Sequence, residues 1–354
     1  MQKKLIALAV IGLMSGAAFA ADNNDVTLYG KIDLGLVHDS GAINNSAATG
    51  SSTRLSSGVA GGSRIGIKGT EDLGGGLKTS FDAETGFCAD ANNNPDGAYC
   101  TGGNFMGRQA WLNLSGNFGT ISAGRQYTPG FLLINEFDPF GTGTAGQINN
   151  LFNPDLVRAN NSVAYVTPSM GGFSGVYAHA FGEVTNNSKS VSGDTIGVNY
   201  GTGPLALGVT YLTVNDAAGN SGDGLKNTNL GASYDFGVAT LMGEFQTTKS
   251  SPQIPAGTAP TNASNWELGV TVPMGGGVGS HLLASYVNHN DKTAANQDAT
   301  QVGIGYFYGL SKMTQIYTAY AHINNKNGAA FTVGNATDVG VGNSSFNLGV
   351  EHNF

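Results

Sequence analysis

The stretch Val26-Thr27-Leu28-Tyr29-Gly30-Lys31-Ile32-Asp33-Leu34-Gly35-Leu36 alternates between apolar and polar or ionised side chains. Period-two alternation belongs to an extended strand, whose successive side chains point to opposite faces. Val26, Leu28, Ile32, Leu34 and Leu36 then share one face, and Thr27, Tyr29, Lys31 and Asp33 the other. The same arrangement closes the chain, with Phe346, Leu348, Val350, His352 and Phe354 opposite Asn347, Glu351 and Asn353. Between these ends, Leu77, Phe81 and Ala83 stand against Lys78, Asp82 and Glu84, and Ala239, Leu241 and Phe245 against Thr240, Glu244 and Gln246. Segments of about ten residues with this pattern recur from Asp25 to the last residue.

Their connections alternate too. Tight turns, mostly bearing glycine, fall at residues 71–76, 115–119, 168–172, 201–203, 235–237, 273–277 and 308–311, while long polar links cover 38–62, 87–106, 127–161, 182–193, 214–225, 248–263, 290–299 and 324–345. Seven short turns and eight long loops give sixteen strands, with both chain ends on the short-turn side. A soluble sandwich would use strands of about five or six residues and turn their apolar faces inward. Strands of about ten residues instead match a tilted membrane crossing, and an even number lets an antiparallel sheet close without an edge. A barrel of sixteen strands is too wide for side chains to fill. The expected fold is therefore all-β: a 16-stranded antiparallel transmembrane β-barrel with ionised residues facing a wet lumen and apolar residues facing lipid. Phe354 suits an interfacial aromatic girdle.

Composition agrees. Only 11% of the 354 residues are charged and 55 are glycine, which excludes a coiled coil or a charged disordered chain. Lys3 and Lys4 precede the apolar run Leu5 to Met14, and Ala18-Phe19-Ala20 closes it, the layout of a signal peptide over residues 1–20 cleaved after Ala20. The mature domain is then 21–354. Loss of the two lysines takes the formal charge from -8 to -10, which argues against nucleic acid as a partner. In an exported chain the two cysteines, Cys88 and Cys100, point to one local disulfide, a pair of free thiols being the alternative. Asp90, Asn92 and Asn94 imitate a calcium loop, but Pro95 and Thr101 occupy the positions that need Gly and Glu. Gly141-Thr142-Gly143-Thr144-Ala145-Gly146 is a formal GxGxxG without the helix a dinucleotide site requires. No metal-ligand spacing joins the six histidines to the cysteines, and no cofactor is expected.

Four blocks carry a family resemblance: Val26 to Lys31; Ser63-Arg64-Ile65-Gly66-Ile67-Lys68-Gly69-Thr70-Glu71-Asp72-Leu73-Gly74-Gly75-Gly76-Leu77; Arg108-Gln109-Ala110-Trp111-Leu112-Asn113-Leu114 through Gly119; and Gly124-Arg125-Gln126-Tyr127. Together with the closing Phe354, they resemble the trimeric general-diffusion porins of Gram-negative outer membranes, particularly the β-proteobacterial type. The resemblance spans the whole mature chain. It implies that the third long loop, Tyr127 to Asn161, bends into the lumen as a constriction. It also implies that basic residues of the wall, Lys31, Arg64, Arg108, Arg125 and Arg158, face the loop acids Glu136 and Asp138. Strand phase independently turns Lys31, Arg64 and Arg158 toward the lumen, Arg158 in step with Asn160 and Ser162. Arg108 runs in step with Leu112 and Leu114, and Arg125 with Ile121 and Ala123, so those two rest on the resemblance.

The expected function is passive diffusion of small hydrophilic solutes and ions across the outer membrane, with a mild anion preference. The resemblance further implies a homotrimer in contact with outer-membrane lipid and lipopolysaccharide. A solute-selective channel is the next reading, and a barrel enzyme or adhesin ranks below it. No Ser, His and acid grouping stands out.

Overall fold

The computed structural model describes residues 24–42, 51–90, 105–152, 156–251 and 261–354. Its strand segments run β1 (Asn24–Ser40), β2 (Ser52–Ser57), β3 (Arg64–Gly74), β4 (Leu77–Gly86), β5 (Gln109–Gly116), β6 (Gly119–Tyr127), β7 (Arg158–Val166), β8 (Phe173–Ala180) and β9 (Gly193–Thr202). They continue with β10 (Leu205–Val214), β11 (Leu225–Asp235), β12 (Thr240–Ser250), β13 (Asn262–Pro273), β14 (His281–Asp291), β15 (Ala299–Gly309), β16 (Thr314–Asn325) and β17 (Ser344–Asn353). From β3 to β17 neighbours in sequence pair antiparallel, and β1 closes the sheet on β17 from Lys31 opposite Asn353 to Ser40 opposite Ser344. β2 and β3 lie in succession along one edge of β1, β2 on residues 34–39 and β3 on residues 24–31. They are two halves of a single wall strand parted by residues 58–63, so the seventeen segments make a closed barrel of sixteen strands. The expected signal peptide, residues 1–20, lies outside the described residues.

The faces are distributed inside out relative to a soluble protein. Leu28, Leu112 and Leu268 are 60%, 58% and 63% exposed on the outer wall, whereas Asp33, Asp82, Glu84 and Gln301 are buried inside it. Such apolar exposure is stable only against hydrocarbon. Among the described residues no helix is long and apolar enough to cross a membrane, so the crossing is made by strands.

One sector departs from the polar-inside rule. Leu283, Val287, Phe307, Tyr317, Ala319 and Ile323 of β14, β15 and β16 are buried in one apolar cluster with Ile134, Phe140, Ile148, Leu151 and Phe152 of the third long loop. The loop covers that wall, so the wall's inward side chains meet side chains instead of water. Each large apolar residue buried this way contributes about 1.5–3 kcal/mol. Within the loop, Thr128 caps α1 (Pro129–Phe137) by accepting the Phe131 N–H at 3.2 Å, and Pro129 sits in the first turn, where its missing N–H costs nothing. Phe137 packs flat on β11, where a Cβ on Gly231 would stand 2.1 Å from its ring. A short 3-10 turn, Ile148–Asn150, follows.

Two more segments fold inward. The Val59 carbonyl accepts N–H groups from Thr144 of the third loop at 2.8 Å and from Ala336 of the eighth at 3.2 Å. The eighth loop also bonds the third directly, Gly334 N–H to Asn150 Oδ1 at 3.0 Å and Gln147 Nε2 to Asn335 O at 2.6 Å. Residues 58–63 and the eighth loop thus share with the third loop in narrowing the lumen.

Barrel closure depends on Gly30. Its N–H and C=O bond the Phe354 backbone at 2.9 and 3.0 Å, and a Cβ there would stand 2.3 Å from the Phe354 ring and 2.7 Å from the Arg64 carbonyl. Gly30→Val should destabilise the closed barrel by about 1–3 kcal/mol through overpacking. The check is the temperature at which the folded, fast-migrating band is lost on denaturing gels, which should fall relative to the parent.

Candidate functional site

Where the three inward segments meet β1, β3 and the wall before β5, they leave an open cavity of about 680 Å³. Four bases, Lys31, Arg64, Arg108 and Arg158, and two acids, Glu84 and Asp338, line it. The bases come from one side of the barrel. Lys31 and Arg64 are cross-strand partners on β1 and β3, and Arg158 opens β7 opposite Tyr127.

Glu84 of β4 organises this wall. It accepts from Arg108 Nε at 2.7 Å and Arg64 Nε at 3.2 Å, and Tyr29 Oη donates to it at 3.2 Å. Lys31 Nζ pairs with Glu351 at 2.7 Å, and Asp338 pairs with Arg54 at 3.2 Å. The Tyr127 hydroxyl accepts from Arg108 Nη2 at 2.7 Å and from Arg158 Nη2 at 2.8 Å, and the Arg158 guanidinium lies 4.5 Å from the Tyr127 ring centre. The Arg108 side chain is only 6% exposed and the Arg64 side chain 27%. Arg64 therefore presents its charge to the lumen, while Arg108 is largely enclosed by its partners.

The structure brings together four of the five expected bases. Arg108 reaches the lumen because β5 begins only at Gln109. Its N–H bonds the Glu84 carbonyl at 3.0 Å, outside the regular pleat, so the phase of Leu112 and Leu114 does not govern it. Arg125 is not among the cavity residues. Pairing slips between Gly124 and Gln126, Gly124 has φ +127°, and the resulting bulge directs Arg125 to the Gly107 carbonyl at 2.6 Å and to Asn160. The same irregularity, with Asn161 at φ +50°, breaks the expected phase of β7: Arg158 and Ser162 face inward, while Asn160 is exposed beside Arg125. β7 also begins at Arg158 and β6 ends at Tyr127, which shortens the third loop to residues 128–157.

The loop acids do not face these bases. Asp138 is 3% exposed and accepts three backbone N–H groups of its own loop, Phe140 at 2.9 Å, Thr142 at 2.8 Å and Ile148 at 3.1 Å. Its charged neighbours on the wall are Glu244 and Glu267. Burial outweighs the three donors and pushes its carboxyl up to about 6. Glu136 is half-buried on α1, outside the cavity lining, and burial pushes it up to about 7. The acids that pair with the bases come from the wall, Glu84 and Glu351, the eighth loop adds Asp338 to the lining, and the third loop opposite offers Phe131, Leu132, Asn135 and Thr142. Tyr127 and Glu84 are the functional residues that motif reading missed. Of the expected disulfide, Cys100 lies outside the described residues. Among the described residues no group of His, Cys, Asp and Glu is arranged to hold a metal ion.

Residues 7–328 match the family model described as Gram-negative porin. The chain is 35% identical to outer membrane porin protein 32 of Delftia acidovorans, over 100% of both chains. It is 30% identical to an outer membrane porin protein of Bordetella pertussis, covering 97% of this chain and 99% of the other. Among solved structures it is similar to the anion-selective porin from Comamonas acidovorans, at 31% identity and a TM-score of 0.75, covering 94% of this chain and 100% of that one. With a closed sixteen-stranded barrel and a charge-lined lumen, the chain belongs to the Gram-negative porin family and is a passive diffusion channel of the bacterial outer membrane.

Proposed function

We propose that the channel prefers anions and that Lys31, Arg64, Arg108 and Arg158 set this preference where the inward segments narrow the lumen. The observation that carries the reading is the excess of bases over acids in the cavity lining, with the third loop's acids turned away from it. Charge at such short range is weakly screened, because a contact distance is well inside the Debye length of about 8 Å at physiological salt. Hydrated inorganic anions and small hydrophilic solutes then cross by electrodiffusion, with no bound cofactor and no catalytic step. The name of the Comamonas relative supports this preference. A homotrimer seated in lipid and lipopolysaccharide, and a Cys88–Cys100 disulfide beyond β4, belong to the same proposal and rest on the family resemblance.

The test is the zero-current potential of single channels in a planar bilayer under a tenfold potassium chloride gradient. A value on the chloride side supports the reading, and one on the potassium side overturns it. The preference should also depend on pH. The Glu136 carboxyl, raised to about 7, loses its negative charge as pH falls from about 8 to about 6, so the anion preference should strengthen over that interval. Glu136→Gln should weaken the dependence and leave the part near pH 6 that belongs to the Asp138 carboxyl; an unchanged pH profile in that variant would remove Glu136 from the lumen's field.

A further inference from the structure

The bases do not face a featureless wall. Phe131 and Leu132 of α1 line the same cavity, and Trp111 lines it from β5. Tyr127 joins the charged and apolar parts: its hydroxyl accepts from Arg108 and Arg158, and its ring stacks on Phe131 at 5.2 Å with 17° between planes. The guanidinium groups and the apolar stripe are therefore separated by one aromatic ring. A hydrated inorganic anion uses only the guanidinium groups and leaves the stripe wetted. A solute with a charge adjoining an apolar body can use both, because displacing water from Phe131 and Leu132 is favourable in proportion to the area covered. Guanidinium and aromatic groups also accept flat π-faces.

We propose that the cavity selects organic monoanions, carboxylates or sulfonates, that carry a flat apolar body. The proposal deepens the anion preference argued above and rests on it. A carboxylate or sulfonate would sit against Arg64 and Arg158 while its body lies along Phe131 and Leu132. Neutral apolar solutes lack the first contact, and chloride lacks the second.

The experiment compares two ions that are ionised at every working pH, benzenesulfonate and methanesulfonate, by bi-ionic zero-current potentials with potassium as common cation. For the native channel, the permeability ratio of benzenesulfonate to methanesulfonate should exceed the ratio of their free-solution mobilities by about threefold, the effect of covering part of one ring. In Phe131→Gln/Leu132→Gln the ratio should fall to the mobility ratio. Single Leu132→Gln should fall part of the way, and folding of each variant is checked by its heat-modifiable gel mobility. A native ratio at or below the mobility ratio, or an excess that survives the double substitution, overturns the proposal. A potassium-side potential in plain potassium chloride overturns both this proposal and the anion preference; a chloride-side potential without benzenesulfonate excess overturns this one alone.

Discussion

Replacing Arg64 and Arg158 together by glutamine should move the zero-current potential in a potassium chloride gradient from the chloride side to a weakly potassium-selective value. Arg64 is more exposed than Lys31 and Arg108, the other ion-paired bases that line the cavity, and Arg158 bonds a hydroxyl instead of a carboxylate, so these two supply the excess charge. Once both are gone, Lys31 remains paired with Glu351 and Arg108 with Glu84, while Arg54 is shared by Asp39 and Asp338, which leaves one acid in excess. A unit charge about 4 Å from a passing ion is worth about 1 kcal/mol even at the dielectric constant of water, or about a fivefold change in local concentration. Two such charges change the balance of anions and cations by more than tenfold. Glutamine removes the charge and keeps a shorter, polar, hydrogen-bonding side chain, so the effect reads mainly charge. Arg125→Gln, made in parallel, should shift the potential little, because the bulge at Gly124 turns that side chain to Gly107 and Asn160. Equal shifts from Arg125 and from the pair would contradict the placement of both.

The second large effect is expected from Asp138→Ala. This carboxylate holds three buried backbone N–H groups across the turn that follows α1, and each donor left unpaired costs about 1–3 kcal/mol. The seat of the third loop on β14, β15 and β16 should loosen while the strand ladders, which do not involve Asp138, persist. Single-channel records should then show higher open-channel noise and larger conductance steps, with protease cleavage appearing within residues 128–157. The temperature of barrel unfolding on gels should change less than for Gly30→Val. Quiet channels of unchanged conductance would show that Asp138 does not anchor the loop.

Strand phase and link length carried most of the architecture, because in a barrel each strand is half lipid-facing and half lumen-facing, and local alternation is the whole signal. Val26, Leu28 and Ile32 stand outside, and Lys31 and Asp33 inside, as the pattern requires. Phase failed where the pleat is interrupted. Arg108 precedes its strand, the bulge at Gly124 turns Arg125 away, and Asn161 shifts Asn160 out of step with Arg158. Bulges leave little trace in composition, so the sequence offered no warning beyond a glycine. The role of Glu84 was within reach. The tight turn at residues 71–76 fixes the β3 and β4 register, which sets Glu84 opposite Gly66 and diagonal to Arg64. Phe137 and Phe140 serve as ballast against the wall, and Asp138, expected as a lumen acid, serves as a turn anchor. Both outcomes depend on tertiary contacts between segments far apart in the chain, which single-sequence periodicity does not encode. The inward folding of the eighth loop and of residues 58–63 was illegible for the same reason.

The most direct measurement is anomalous diffraction from crystals of the purified protein soaked in bromide, which marks where anions reside. The strongest peak inside the barrel should lie in the cavity between α1 and the wall, in contact with the Arg64 and Arg158 side chains. Bromide confined to outer loops, with that cavity empty or those side chains directed elsewhere, would contradict the account.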